Sequence, residues 1–190
     1  MELITERLIL RDLNQEDFEA VHAYTSDPEN VRYMTWGPYD EAGTRAFLDK
    51  IIARQGDTPR TSYVFAITLK ESGRLIGHCG IYLTDEGHQA VLGWILHRDY
   101  WNRGYMTESV KALLKFGFEG LRLHRICAYC NTENGATSRV MEKCGMRREG
   151  AFLKSKRGRP GMDKEWNDEY LYAILAEEWR GDSSSNKAVK

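Results

Sequence analysis

The chain has 190 residues, a formal net charge of −1, 42% hydrophobic residues and 29% charged ones. That length suits one domain with a substantial core, and the near-neutral balance argues against nucleic acid or a membrane surface as partner. No apolar run approaches the ~20 residues of a membrane span, and Met1-Glu2-Leu3 begins no signal peptide, so a cytoplasmic location is expected.

The first predicted strand holds Leu8 and Leu10 on one face and Arg7, Ile9 and Arg11 on the other. Asn14 is placed to cap a helix running through Tyr24, with Asp17 in its first turn. Val31 to Tyr39 is rich in aromatics and turns at Gly37-Pro38. Phe47, Leu48, Ile51 and Ile52 mark a second amphipathic helix, ending before Gly56 and Pro59. Two hairpin strands follow, Tyr63 to Leu69 and Leu75 to Leu83, joined at Ser72-Gly73. Asp85-Glu86-Gly87 then turns the chain into Val91 to Leu96, short and apolar like a buried strand.

Beyond it, Met106, Val110, Leu113, Leu114, Gly117, Phe118 and Leu121 recur at helical spacing, with Gly120 or a neighbour as terminator. A strand near Arg125 to Cys130 precedes a helix near Asn134 to Cys144, with Gly145 at its C-terminal cap. The final hairpin, Met146 to Leu153 and Glu165 to Leu175, brackets a basic Gly/Pro loop containing Lys154, Lys156, Arg157 and Arg159. Gly181 to Lys190 reads as a disordered polar tail, leaving one domain over residues 1–180. Cys127 and Cys130 have C-x-x-C spacing, but residues three apart on a strand face opposite ways. No second pair completes a metal site, so free buried thiols and no metal are expected.

The segment Tyr100 to Glu108 joins the Val91–Leu96 strand to the next helix through Arg103-Gly104. A strand-to-helix turn of this kind leaves the first helical N–H groups unpaired with the helix dipole behind them, which favours phosphate. On its own, that turn is equally an ordinary connection with a surface arginine, since no Walker-type motif is present.

Trp101-Asn102-Arg103-Gly104-Tyr105-Met106-Thr107-Glu108 resembles the W-G-K-G-Y-A-T-E segment of the GNAT acetyltransferases, in their RimJ/RimL-like ribosomal branch. Thr5-Glu6-Arg7-Leu8-Ile9-Leu10-Arg11 is similar to that branch's T-x-R-L-x-L-R opening, and Leu123-His124-Arg125-Ile126 to its L-x-R-I. Asn134 through Ser138, then Glu142-Lys143-Cys144-Gly145-Met146, resembles N-x-x-S followed by E-K-x-G-F. The ordered motifs extend the likeness from Thr5 to Trp179.

The resemblance implies a single α/β (α+β) domain with a mixed, mostly antiparallel, splayed sheet flanked by helices. It implies transfer of acetyl from acetyl-CoA to a primary amine by direct attack in a ternary complex, with a protein N-terminal α-amine as acceptor. Backbone N–H groups of Asn102, Arg103, Gly104, Tyr105, Met106 and Thr107 would hold the pyrophosphate. Trp94, Ile95 and Leu96 would offer main chain to the pantetheine arm, the Leu96 N–H facing the thioester oxygen. Asn134 matches a cofactor contact and suits a helix cap equally. Thr137, with Ser138 beside it, aligns with the branch's proton donor, although both hydroxyls also suit first-turn capping.

The chain departs from the family pattern at Asn102, often glycine, and at Met106, usually small. Val91 stands where a glutamate base is common, and Met141 where many members carry a tyrosine acid. His78 is a substitute base, although a lone histidine in a sheet is more often structural. Glu108 places favourable charge at its helix start. Tyr33, Trp36 and Tyr39 either line an amine pocket or pack their loop onto the core. A small amine as acceptor, and a non-catalytic acyl-CoA-binding module, stay open as alternatives, as do monomer and homodimer.

Overall fold

The computed structural model describes residues 1–162 and 164–181; residues 182–190 of the expected tail lie outside that range. Its strands are β1 (Glu2–Ile4), β2 (Leu8–Asp12), β3 (Ser62–Leu69), β4 (Leu75–Thr84), β5 (Gln89–Leu96), β6 (Arg125–Asn131), β7 (Arg147–Arg157) and β8 (Trp166–Leu175). The helices are α1 (Phe18–Thr25), α2 (Glu41–Arg54), α3 (Tyr105–Lys115) and α4 (Gly135–Lys143). One eight-stranded sheet runs in the order β1-β2-β3-β4-β5-β6-β8-β7. Every neighbouring pair is antiparallel except β5 and β6.

Side-chain alternation divides the core into two layers. Val21 and Tyr24 of α1, with Leu48 and Ile51 of α2, pack on Val64, Ala66 and Ile95. Leu8, Leu10, Phe65, Ile81 and Leu92 point to the opposite face, where Met106, Val110, Leu113 and Leu114 of α3 cover them. Asn14 accepts from the Glu16 N–H, but it caps a 3₁₀ turn (Gln15–Asp17) rather than α1 directly. The Asp17 carboxylate returns to the Asn14 N–H at 2.9 Å and pairs with Arg11 at 2.6 Å, which fixes the turn.

Three elements differ from the sequence expectation. β1 is too short to show a period, and it exists because it pairs with β2. The helix after the Arg-Gly turn does not simply stop at Gly120: it widens into a π-turn over Phe116–Gly120, with the Leu121 N–H on the Phe116 carbonyl at 2.9 Å. A side chain on Gly117 would collide there with Ile126 and Ile81. Lys154, Lys156 and Arg157 belong to β7 rather than to a loop. An irregularity after Phe152, with Lys154 at φ 50, lets pairing resume at Lys156↔Asn167.

β4 and β5 approach closely at Gly77, where a Cβ would lie 2.9 Å from the Leu96 Cα and nearer still to the Ile95 carbonyl oxygen. Neither backbone atom can move without disturbing the ladder. Gly77→Ala is expected to lower unfolding free energy by about 1–3 kcal/mol. Gly56→Ala, whose Cβ meets only the Ala53 carbonyl at 3.9 Å, should stay within about 0.5 kcal/mol in the same urea titration.

Candidate functional site

β5 and β6 pair from Gln89↔Arg125 to Leu92↔Ala128 and then part. On its other edge β5 stays with β4 as far as Gly77↔Leu96, and the next N–H, of His97, donates to the Ile76 carbonyl at 2.8 Å. Antiparallel alternation therefore turns the main-chain groups of Trp94 and Leu96 into the gap. The Leu96 carbonyl is satisfied there, accepting from Asn30 Nδ2 at 2.8 Å and Trp101 Nε1 at 2.7 Å. Its N–H faces the opening. A cavity of about 590 Å³ fills the gap, lined by His78, Gly93 and Ile95 from one side of the sheet and Trp94, Met106 and Val140 from the other.

The turn before α3 supplies one wall. Asn102 (φ 59) and Gly104 (φ 80) are left-handed, and asparagine is among the few residues besides glycine that tolerate this conformation. The departure from glycine at Asn102 therefore preserves the turn. The first helical bond runs from the Glu108 N–H to the Gly104 carbonyl at 3.1 Å. Among the described residues, none of the N–H groups from Asn102 to Thr107 has a protein acceptor. A nest of unpaired N–H groups at a helix start is geometry that favours an anion. Asn102, Gly104, Tyr105, Met106 and Thr107 line the cavity. Arg103 does not line it: its carbonyl accepts from Arg7 Nη1 at 3.0 Å, and its guanidinium lies 5.7 Å from the Tyr100 ring centre.

Glu108 does more than place charge at the helix start. It accepts from the Thr5 hydroxyl at 2.6 Å, the Arg7 N–H at 2.8 Å and Arg7 Nε at 2.7 Å. The Arg7 guanidinium also covers the Tyr105 ring at 4.5 Å. Burial alone would raise the Glu108 carboxyl, but these bonds hold it below its ordinary value. The two sequence motifs thus meet, and the N-terminal one braces the turn before α3.

On the α4 side, Asn134 Oδ1 accepts from the Thr137 N–H at 3.1 Å, so its cap role is realised while its side chain still lines the cavity. Thr137 also lines the cavity; Ser138 does not. The Ser138 hydroxyl turns to Cys130 Sγ at 3.4 Å, because consecutive helical residues point roughly 100° apart. Of the two candidate proton donors, Thr137 is therefore the one whose side chain lines the cavity. Met141 is wholly buried, and no hydroxyl replaces the absent tyrosine there.

Across the sheet, Tyr33 and Trp36 line the cavity, whereas Tyr39 stands behind Trp36 with ring centres 5.1 Å apart. His78 is 6% exposed, with Nδ1 2.9 Å from the Tyr24 hydroxyl. Burial lowers its pKa to about 4, leaving it neutral at pH 7 and a poor proton acceptor. Tyr82 is a residue the sequence did not reveal. It sits opposite Val91, and its hydroxyl lies 2.8 Å from where a Gly80 side chain would begin. Burial pushes it up to about 12. The signal was Gly80 and Gly93, which pair in register beneath the Tyr82 ring, but only the register shows it.

The parted parallel strand pair and the start of α3 thus turn unpaired main-chain groups toward one cavity. The family model for the acetyltransferase (GNAT) domain matches residues 7–147. The uncharacterized N-acetyltransferase YnaD of Bacillus subtilis (strain 168) is 40% identical over 179 residues, 94% of this chain and 99% of that protein. A GNAT-family acetyltransferase from Bacillus anthracis, known from its crystal structure, matches with TM-score 0.81 at 40% identity, over 93% of this chain and 99% of that one. RimL, the ribosomal L7/L12 α-N-protein acetyltransferase, in complex with coenzyme A, shares the fold at TM-score 0.80 and 16% identity, over 92% and 98% of the two chains. The chain belongs to the GNAT family and is an acetyl-CoA-dependent N-acetyltransferase. A purely binding role is thereby set aside.

Gly104→Val forces a branched side chain into a left-handed position, and should raise the acetyl-CoA dissociation constant at least tenfold, roughly 1.4 kcal/mol. Arg103→Ala leaves the N–H groups in place and should cost less; calorimetry compares the two. Because the folded-state Glu108 value is depressed, its stabilisation is complete above the ordinary carboxyl value of 4.5 and fades as pH falls through the lower folded value. The stability gap between the parent and Glu108→Gln should be constant above about pH 5 and shrink below it, as read from urea midpoints across pH.

Proposed function

We propose that the acceptor is the α-amine of a protein or peptide N-terminus, as in the RimJ/RimL-like branch. One observation carries this reading. Among the described residues, Glu29 is the only carboxylate lining the cavity, and Arg32 binds it at 3.0 Å. A polyamine would leave its remaining charges without partners in such a site, at considerable cost. The aromatic side chains of Tyr33, Trp36 and Tyr82 instead offer an apolar wall to a peptide.

When bound, acetyl-CoA supplies an acetyl thioester whose oxygen gains negative charge during attack and whose sulfur leaves as thiolate. The N–H groups from Asn102 to Thr107 hold its pyrophosphate, and Arg139 and Lys143 add positive charge to the same cavity. The main chain of Trp94 takes the pantetheine arm. The Leu96 N–H stabilises the developing oxyanion. Thr137 would pass a proton to the departing sulfur and regain one by way of the proton that the amine nitrogen loses as the amide forms. With no carboxylate at Val91, an α-amine of pKa ~7.7–8.0 suits the site, since a usable fraction is already neutral near pH 7. A cytoplasmic location is part of the reading, supported by cysteines that form no disulfide among the described residues.

An acceptor panel monitored by release of CoA thiol tests the proposal. N-terminal peptides should exceed spermidine and free lysine in kcat/KM; the reverse ranking would reassign the enzyme to small amines. Thr137→Val should lower kcat by roughly a hundredfold at most, since thiolate leaves readily, and should retain acetyl-CoA affinity. An unchanged kcat would give proton donation to water.

A further inference from the structure

We infer that His78 presents an Nε2–H donor to the acceptor side of the cavity and recognises an oxygen carried beside the reacting amine. The substrate class is therefore α-amino carbonyl compounds, held by their carbonyl oxygen. This rests on the acetyl-transfer reading above and adds a specificity-determining residue to it.

The proton inventory decides which nitrogen carries the hydrogen. Tyr24 is 0% exposed, and among the described residues His78 Nδ1, at 2.9 Å, is the sole partner of its hydroxyl. A phenol hydrogen in a sealed site needs an acceptor. Were the ring proton on Nδ1, the Tyr24 O–H would point at nothing. Tyr24 therefore donates, Nδ1 accepts, and the proton of the neutral ring sits on Nε2.

Nε2 itself has no protein partner among the described residues. The buried side-chain nitrogen or oxygen without a partner there is Arg159 Nε, so His78 Nε2 is not sealed off. It reaches open space, and the space beside His78 is the cavity. The ring is held in this orientation by Phe47 at 5.1 Å and Trp36 at 6.4 Å between centres. A buried donor aimed into a cavity gains most by meeting an acceptor on the ligand.

Register places that acceptor near the chemistry. His78 pairs with Ile95, the residue before Leu96, whose N–H faces the reaction gap. An oxygen three bonds from the attacking nitrogen suits this neighbouring position. The first residue of a peptide and an amino-acid amide both have one; spermidine and the lysine side-chain amine do not. His78 acts by hydrogen bonding and takes no proton, which separates it from the base role considered for it.

Two measurements test this. Proton–nitrogen NMR of the parent protein with isotope-labelled histidine should show the His78 ring at neutral pH protonated at Nε2 alone. Protonation at Nδ1, or a charged ring, would overturn the inference without any variant having to fold. The second compares kcat/KM for a dipeptide with that for its analogue in which the first carbonyl is reduced to methylene. The double variant Tyr24→Phe, His78→Phe keeps ring packing and orphans no hydroxyl. Its preference for the carbonyl-bearing acceptor, relative to the parent, should fall by about tenfold or more. An unaltered preference would overturn the His78 assignment while leaving the α-amine reading intact. A parent that favours spermidine over both acceptors would instead remove the α-amine reading, and the inference with it.

Discussion

The parting of β5 from β6 after Leu92 and Ala128 is the constraint on which the site depends. A parallel pair that continued would consume the main-chain groups of Trp94 and Leu96 in the ladder. Several contacts hold the pair apart. β5 is tied to β4 by the close approach at Gly77. Its last carbonyl, of Leu96, is taken by Asn30 and Trp101 before β6 could reach it. The core on either face then closes around the gap rather than across it.

Two further devices make the opening usable. The turn before α3 presents unpaired N–H groups only while Asn102 and Gly104 remain left-handed, a conformation the local chain alone does not strongly favour. The brace from Thr5 and Arg7 to Glu108 holds the start of α3 from outside, and Arg7 also grips the Arg103 carbonyl. Burial works against the Glu108 charge, and the hydrogen bonds offset it. The N-terminal hairpin therefore supports a wall of the cavity although none of its residues lines it.

The cavity has two chemically distinct ends. Toward α3 and α4 it offers main-chain donors with Arg139 and Lys143, suited to a phosphate-bearing cofactor. Toward α1 and α2 it is aromatic, with Trp36 and Tyr82 beside a histidine kept neutral by burial. An incoming amine thus meets little fixed charge. The hydrogen-bonding groups that do reach it carry the burden of selection.

Local pattern made much of this legible. The helical spacing of Met106, Val110, Leu113 and Leu114 foretold the covered face of α3, and Leu8 and Leu10 lie in the core as their alternation implied. The Trp101–Glu108 motif located the turn whose N–H groups stay unpaired, since that is backbone geometry held within one short segment. Side-chain roles depending on distant partners were not legible. Tyr82 faces Val91 only through the β4–β5 register, Asn30 reaches Leu96 across the sheet edge, and Ser138 was separated from Thr137 by helix rotation. By itself the sequence determined the family, the order of elements and the left-handed turn before α3, because each rests on neighbours in the chain. Tertiary structure alone decided which polar atoms face the cavity, because that depends on strand register and on which buried partner claims each hydrogen.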